Sequence, residues 1–97
     1  MRILVVDDEP SIRSSLRITL SNIGFDVVEA ARGEEALLLT RTAQFDAILL
    51  DVNIPDMDGI EVCHMMRKEA PRLPIMMLTV QGSEDKKVEA LGAGADD

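Results

Sequence analysis

Three aspartates stand where short apolar runs end, and their side chains could together hold a divalent cation. Asp7 and Asp8 follow one such run, and Asp51 follows another. Carboxylates that lie close together repel one another, so they stay ionised only if a cation neutralises them or some take up protons. Oxygen ligands select a hard cation, and Mg²⁺ typically combines one or two carboxylates with waters and a phosphate. The pattern therefore predicts a magnesium site.

Four short runs are predicted to form the strands that position these aspartates. They lie at residues 3–6, 25–29, 47–50 and 75–78. The first, third and fourth are continuously apolar, which is typical of a parallel sheet covered on both faces, whereas the second is mixed and indicates an edge strand. We also expect Met76 and Met77 of the fourth run to be core residues, because methionine is a common core filler.

Amphipathic stretches follow each predicted strand and indicate four helices. The first runs from Pro10, with Ile12, Leu16 and Ile23 on its buried side, and stops at Gly24. The others are predicted at residues 34–42, 59–69 and 84–91. The alternation of strand and helix predicts one α/β domain over residues 1–97, a flavodoxin-like doubly wound parallel sheet with the strand order 2-1-3-4.

This topology predicts where chemistry should occur. Ligands of doubly wound sheets bind outside the carboxyl ends of the strands, where the strand order reverses. If the first and third strands are neighbours, then Asp7, Asp8 and Asp51 converge there, and Thr79 follows the fourth strand. The ordinary alternative is that each acidic residue is a solvated loop position or favours the start of a helix. For any single aspartate this alternative is the better explanation. For all three aspartates together, convergence at a ligand site is the better one.

Composition limits the remaining function classes. The net charge is −8 and only 2% of residues are aromatic, so we expect no direct nucleic acid contact, because the surface would repel phosphates and offers little for base stacking. The single cysteine, Cys63, cannot form an internal disulfide, and no apolar run has the length of a membrane span. With no signal peptide pattern at its start, the chain is expected in the cytoplasm, with no membrane partner.

Three sequence blocks resemble the receiver domains of two-component response regulators. The acidic pair ends the block Ile-Leu-Val-Val-Asp-Asp-Glu-Pro at residues 3–10, and Pro-Ile-Met-Met-Leu-Thr occupies residues 74–79. The most specific block is D-x-x-x-P-x-x-D-G, which runs from Asp51 to Gly59. The resemblance extends over the whole chain.

The resemblance implies a role for each site residue. Asp51 would accept a phosphoryl group from a sensor histidine kinase. Asp7, Asp8, Asp51 and the backbone carbonyl of Asn53 would hold Mg²⁺, and the hydroxyl of Thr79 would turn to the new phosphoryl group and shift helix four. It further implies a C-terminal effector domain in the full-length protein, often a DNA-binding one that regulates transcription.

The sequence also departs from the family pattern. Receivers carry a fifth strand with an aromatic residue, then a lysine and a fifth helix, but this sequence has no lysine after Lys87 and no aromatic residue after Phe45. We therefore expect a receiver that is incomplete at its C-terminus. An exposed edge and uncovered apolar surface would then favour a homo-oligomer or the swapping of elements. Mg²⁺ binding is expected to survive more readily than stable phosphorylation.

Two rival functions remain open on the sequence alone. One is a Mg²⁺-dependent phosphatase or phosphotransferase with an aspartyl-phosphate intermediate, although the second acid of such enzymes is replaced here by Asn53. The other is an interaction module of the same fold that is never phosphorylated. The preferred hypothesis is a signalling domain that is not an enzyme beyond its own phosphorylation and dephosphorylation.

Overall fold

The structure is a computed structural model that describes residues 1–78 and Asp96. Over this part of the chain the strands are β1 (Arg2–Val6), β2 (Asp26–Ala30), β3 (Ala47–Asp51) and β4 (Ile75–Leu78), and the helices are α1 (Pro10–Ile23), α2 (Gly33–Thr42) and α3 (Gly59–Glu69). The strands pair in parallel in the order β2-β1-β3-β4. The predicted α/β fold and strand order are confirmed, with β2 as an edge strand. The predicted helix at 84–91 lies outside the described residues.

The helix ends follow from local residue chemistry. Gly24 ends α1 in the left-handed region, at φ 109°, where a side chain would be strained. Asp58 caps α3, because its carboxylate accepts a hydrogen bond from the backbone N–H of Ile60 at 3.0 Å. Arg32 precedes α2 without a side-chain cap of its own. None of the described helices is long and apolar enough to cross a membrane.

One face of the sheet carries the main core, beneath α2 and α3. Alternate residues of the strands pack there against both helices. The fully buried members are Leu4, Val6, Ala30, Ile48, Leu50, Ile75, Ala36, Val62, Cys63 and Met66. Because β1 pairs with β2 on one side and β3 on the other, successive right-handed crossovers run in opposite directions, so α1 takes the opposite face.

The α1 face is less completely buried, and two predictions fail there. Ile3 and Val5 are buried on this face, but α1 itself has no fully buried residue. Ile23 is 67% exposed because it lies in the last turn, beyond the part of α1 that covers the strands. Met76 is 48% exposed because it faces away from the core under α2 and α3, on a strand that α1 does not cover. Met77 packs against the core, as predicted.

Candidate functional site

The aspartates at the ends of β1 and β3 meet, as the strand order predicts. Val6 pairs with Leu50, so the residues that follow them emerge side by side. One carboxylate oxygen from each of Asp7, Asp8 and Asp51 can be chosen so that all three lie within 4.8 Å of one another. Asp7 is only 2% exposed, whereas Asp51 is half-buried and Asp8 is exposed. The group is thus anchored on one side and open to solvent on the other.

Asp7 is held in place by both its side chain and its backbone. Its carboxylate accepts a hydrogen bond from the backbone N–H of Glu9 at 2.9 Å, and its own N–H donates to the carbonyl of Ala30 at 3.1 Å. Arg13 of α1 donates to the carbonyl of Asp7 at 2.7 Å and forms an ion pair with Glu29 of β2 at 3.4 Å. The sequence assigned Arg13 no role, because it shows only that this residue lies outside the apolar stripe of α1.

Asp51 occupies an unfavourable electrostatic position. Burial raises the pKa of its carboxyl group, and the charges of Asp7 and Asp8 raise it further. The backbone N–H groups of Asn53 and Val52 act in the opposite direction, and the Asn53 N–H donates to Asp51 at 3.1 Å. Among residues 1–78, no arginine or lysine forms an ion pair with any of the three carboxylates. The cluster therefore carries negative charge that a bound cation would relieve.

The loop between Asp51 and α3 forms the rim of this site. Asn53 and Asp58 pair through their backbones in an isolated antiparallel β-bridge across the loop. Both residues line an open cleft with Asp8. A Cβ atom on Gly59 would overlap the carbonyl oxygen of Asp51 and lie 2.7 Å from the carbonyl oxygen of Val52. Only glycine therefore lets α3 begin so close to the end of β3, so Gly59 shapes this loop.

The other sequence candidates lie apart from the carboxylates or outside the described residues. Cys63 is fully buried in the core, which raises the pKa of its thiol, and His64 is exposed on α3. Cys63 thus behaves as a small apolar side chain of the core. Thr79, the predicted switch residue, lies outside the described residues.

Residues 3–97 match the family model of the response regulator receiver domain. The chain belongs to this family. As a receiver domain, it places its three aspartates at the β1 and β3 ends, where the topology predicted that they converge. The roles of these aspartates and of Asn53 in metal binding and phosphoryl transfer remain predictions.

Similar proteins include regulators and solved receiver structures. The chain is 49% identical over 96 residues to the alkaline phosphatase synthesis transcriptional regulatory protein PhoP of Bacillus subtilis, covering 99% of this receiver and 40% of PhoP. It superposes on the chemotaxis protein CheY4 of Vibrio cholerae with TM-score 0.92 and 42% identity, covering 97% of this chain and 80% of that one.

A third neighbour is a response regulator from Burkholderia pseudomallei, whose structure contains a phosphorylated aspartic acid, a calcium ion and citrate. The TM-score is 0.92 at 28% identity, covering 98% of this receiver and 56% of that chain. The receiver spans about two fifths of the curated relatives it matches.

Proposed function

We propose that this receiver domain accepts a phosphoryl group on Asp51 from the phosphohistidine of a sensor histidine kinase, with Mg²⁺ as cofactor. The observation that carries the proposal is the meeting of Asp7, Asp8 and Asp51 without an ion-pair partner among residues 1–78. A bound cation would neutralise such a cluster, and an all-oxygen donor set fits Mg²⁺.

In the proposed transfer, a carboxylate oxygen of Asp51 forms a bond to phosphorus while the bond from phosphorus to the imidazole nitrogen of the donor breaks. The Asn53 N–H, 3.1 Å from the Asp51 carboxylate, helps to orient it. Asp7, Asp8, Asp51 and the Asn53 carbonyl would hold Mg²⁺, which supplies neutralisation of charge on the phosphoryl oxygens when bound. The open side of the cleft beside Asp8 leaves room for a donor to approach.

The phosphorylated aspartic acid and the cation in the Burkholderia pseudomallei neighbour support this proposal for a chain of the same family. We extend it to the downstream response. The Thr79 hydroxyl would contact the new phosphoryl group and shift helix four, and an effector domain in the full-length protein would regulate transcription in the cytoplasm. The name of PhoP supports the transcriptional part of this proposal.

The first experiment is a Mg²⁺ titration of the chain followed by backbone amide NMR shifts. We expect saturable shifts at Asp8 and Asp51 that Asp51→Asn abolishes. The control Asp26→Asn removes an exposed aspartate at the opposite end of the sheet and should bind as the wild type does. An absence of shifts in the wild-type chain would refute the metal site and favour an unphosphorylated interaction module.

The second experiment is incubation with a small-molecule phosphodonor and Mg²⁺, read by intact mass. We expect one added phosphoryl group in the wild type and in Asp26→Asn, and none in Asp51→Asn. Mg²⁺ binding without any adduct would refute phosphoryl acceptance by this chain, and steady hydrolysis of a phosphomonoester would favour the phosphatase alternative.

A further inference from the structure

The N-terminus of α2 receives its cap from a distant part of the chain. The first N–H groups of a helix have no partners within the helix and need acceptors. Arg32, which precedes α2, supplies no side-chain cap. Instead, the carboxylate of Asp56 accepts hydrogen bonds from the N–H groups of Gly33 at 2.8 Å and Glu34 at 3.1 Å. One aspartate thus joins the loop after β3 to the start of α2.

Close packing reinforces these hydrogen bonds. A Cβ atom on Gly33 would lie 2.8 Å from Val62, 3.0 Å from Ile54 and 3.3 Å from Met57. Two of these neighbours, Ile54 and Met57, belong to the same loop as Asp56. The start of α2 is therefore pressed directly against the loop, and the two cannot move apart without losing both the hydrogen bonds and apolar contacts.

The same loop carries a proposed metal ligand. Asn53 precedes Asp56 by three positions, donates to Asp51 and bridges to Asp58. The segment from Asn53 to Asp58 is thus fixed at one end by Asp51 and at the other by the start of α3. Asp56 adds hydrogen bonds that tie the middle of this segment to α2, beside the apolar packing of Ile54 and Met57.

Charge favours the same arrangement. The N–H groups of Glu34 and Gly33 are the main causes of the lowered pKa of Asp56, and the charge of Arg32 makes a smaller contribution in the same direction. The ionised carboxylate also interacts favourably with the positive end of the α2 dipole.

We infer that Asp56 is a positioning residue, which holds the Asn53 carbonyl at the metal site by capping α2 from the loop. The inference rests on the proposed function for its metal readout, but the position of the loop can be tested separately. Without the Asp56 carboxylate, the middle of the loop keeps only its apolar contacts with α2, and Asn53 samples positions away from the cluster more often.

The test compares Asp56→Ala with Asp56→Asn and with the control Asp46→Ala. Asp46 also accepts a backbone hydrogen bond through its carboxylate, from the N–H of Arg2 at 2.7 Å, but at the opposite end of the sheet. Supporting contacts around metal ligands change affinity by tenfold or more, so for this more remote one we expect Asp56→Ala to weaken Mg²⁺ binding by about threefold to tenfold. Asp56→Asn should recover most of the affinity, and Asp46→Ala should not change it.

A second readout does not depend on the metal. Backbone ¹⁵N relaxation should show a lower order parameter at Asn53 in Asp56→Ala than in the wild type or Asp46→Ala. An unchanged order parameter would overturn the inference whether or not Mg²⁺ binds, as would equal Mg²⁺ affinities in Asp56→Ala and Asp46→Ala. A wild-type chain that binds no Mg²⁺ would instead refute the proposed function, and the relaxation data would still decide the role of Asp56.

Discussion

Asp51 and Asp56 belong to one short segment, yet the pKa of Asp51 is raised while that of Asp56 is lowered. Asp56 meets the backbone N–H groups of Gly33 and Glu34. Asp51 is partly desolvated and faces the carboxylates of two other aspartates. The same residue type therefore experiences opposite electrostatic surroundings within six residues of sequence.

This difference separates two uses of an aspartate. At the start of α2, the protein supplies the hydrogen bonds that stabilise the charge of Asp56, so the contact stabilises structure. In the cluster of Asp7, Asp8 and Asp51, the described chain supplies no ion-pair partner, so a bound cation would relieve the repulsion. Raised and lowered pKa values thus point to ligand binding in one place and to structural support in the other.

The largest effect is expected at Gly59, where the start of α3 closely approaches the end of β3 that carries Asp51. Gly59→Ala would push a Cβ atom into the carbonyl of Asp51, and such overpacking typically costs about 1 to 3 kcal/mol. We expect a loss near the top of this range in urea unfolding, because the overlapping atoms are backbone. Gly24→Asn is the milder control, because a Cβ there meets no heavy atom and the cost is only the backbone strain at φ 109°, which asparagine bears better than most residues. Equal losses would contradict the steric argument.

A slightly smaller effect is expected from adding Mg²⁺ to the wild-type chain. A ligand that binds only the folded state at about one hundred times its dissociation constant stabilises by about 2.7 kcal/mol. Asp51→Asn should remove most of this gain, whereas Asp26→Asn should retain it. The measurement is chemical unfolding with and without Mg²⁺. If Asp51→Asn gained as much stability as the wild type, Asp51 would not belong to the metal site.

Without metal, the burial of Asp51 and its repulsion by Asp7 and Asp8 should be visible as a pH-dependent change in stability. Folding raises the pKa of Asp51, so its ionisation disfavours the folded state. This cost is absent below the unfolded pKa of about 3.9 and is complete above the raised folded pKa. Melting temperatures of Asp51→Asn and wild type in EDTA should therefore agree near pH 3 and differ by a few degrees at neutral pH, with the variant higher. A lower melting temperature for the variant at neutral pH would reverse the assignment.

The smallest effect is expected at Asp96, an exposed aspartate whose carboxylate, like that of Asp56, accepts a backbone hydrogen bond. Asp96 accepts hydrogen bonds from the N–H of Ile75 at 2.8 Å and from Arg67 at 2.9 Å, and the first of these is the main cause of its lowered pKa. Its stabilising effect is present above the unfolded pKa and is lost as the pH falls through the lower folded value. Because the side chain is 60% exposed, Asp96→Asn should cost only about 0.5 kcal/mol at neutral pH.

The cost of Asp96→Asn should vanish in acid, where the wild-type carboxyl group is protonated. Urea unfolding at neutral and acidic pH measures it, and Glu69→Gln is a control because its carboxylate contacts Arg41 rather than β4. A cost that persisted unchanged in acid would show that the charge of Asp96 is not responsible.

Sequence reasoning worked where a feature repeats along the chain or depends on near neighbours. The bounds of α3, for example, were predicted directly. The bounds of β2 were predicted one residue early, because Phe25 is apolar and was counted with the strand. In the structure, the N–H of Phe25 instead donates to the carbonyl of Leu20 in the last turn of α1. Met76 was misplaced because an apolar run does not show which of its residues faces a covering helix.

Contacts between distant residues marked the limit of prediction. Arg13 and Asp56 are ordinary charged residues in the sequence, and nothing in their neighbourhoods indicates their partners. Arg13 reaches the Asp7 carbonyl only because α1 crosses back over the end of β1. Asp56 reaches α2 only because the loop after β3 lies against that helix.

The sequence by itself determined the alternation of strands and helices, the strand ends that carry Asp7, Asp8 and Asp51, and hence the side of the sheet where they meet. These features follow from hydrophobic periodicity and from the handedness of crossovers, which are local or general rules. Only the tertiary structure decided how each aspartate is solvated and which groups donate to it. Those quantities depend on distances between residues far apart in the chain, and these distances distinguish the carboxylates that face one another from those that accept hydrogen bonds from the start of a distant helix.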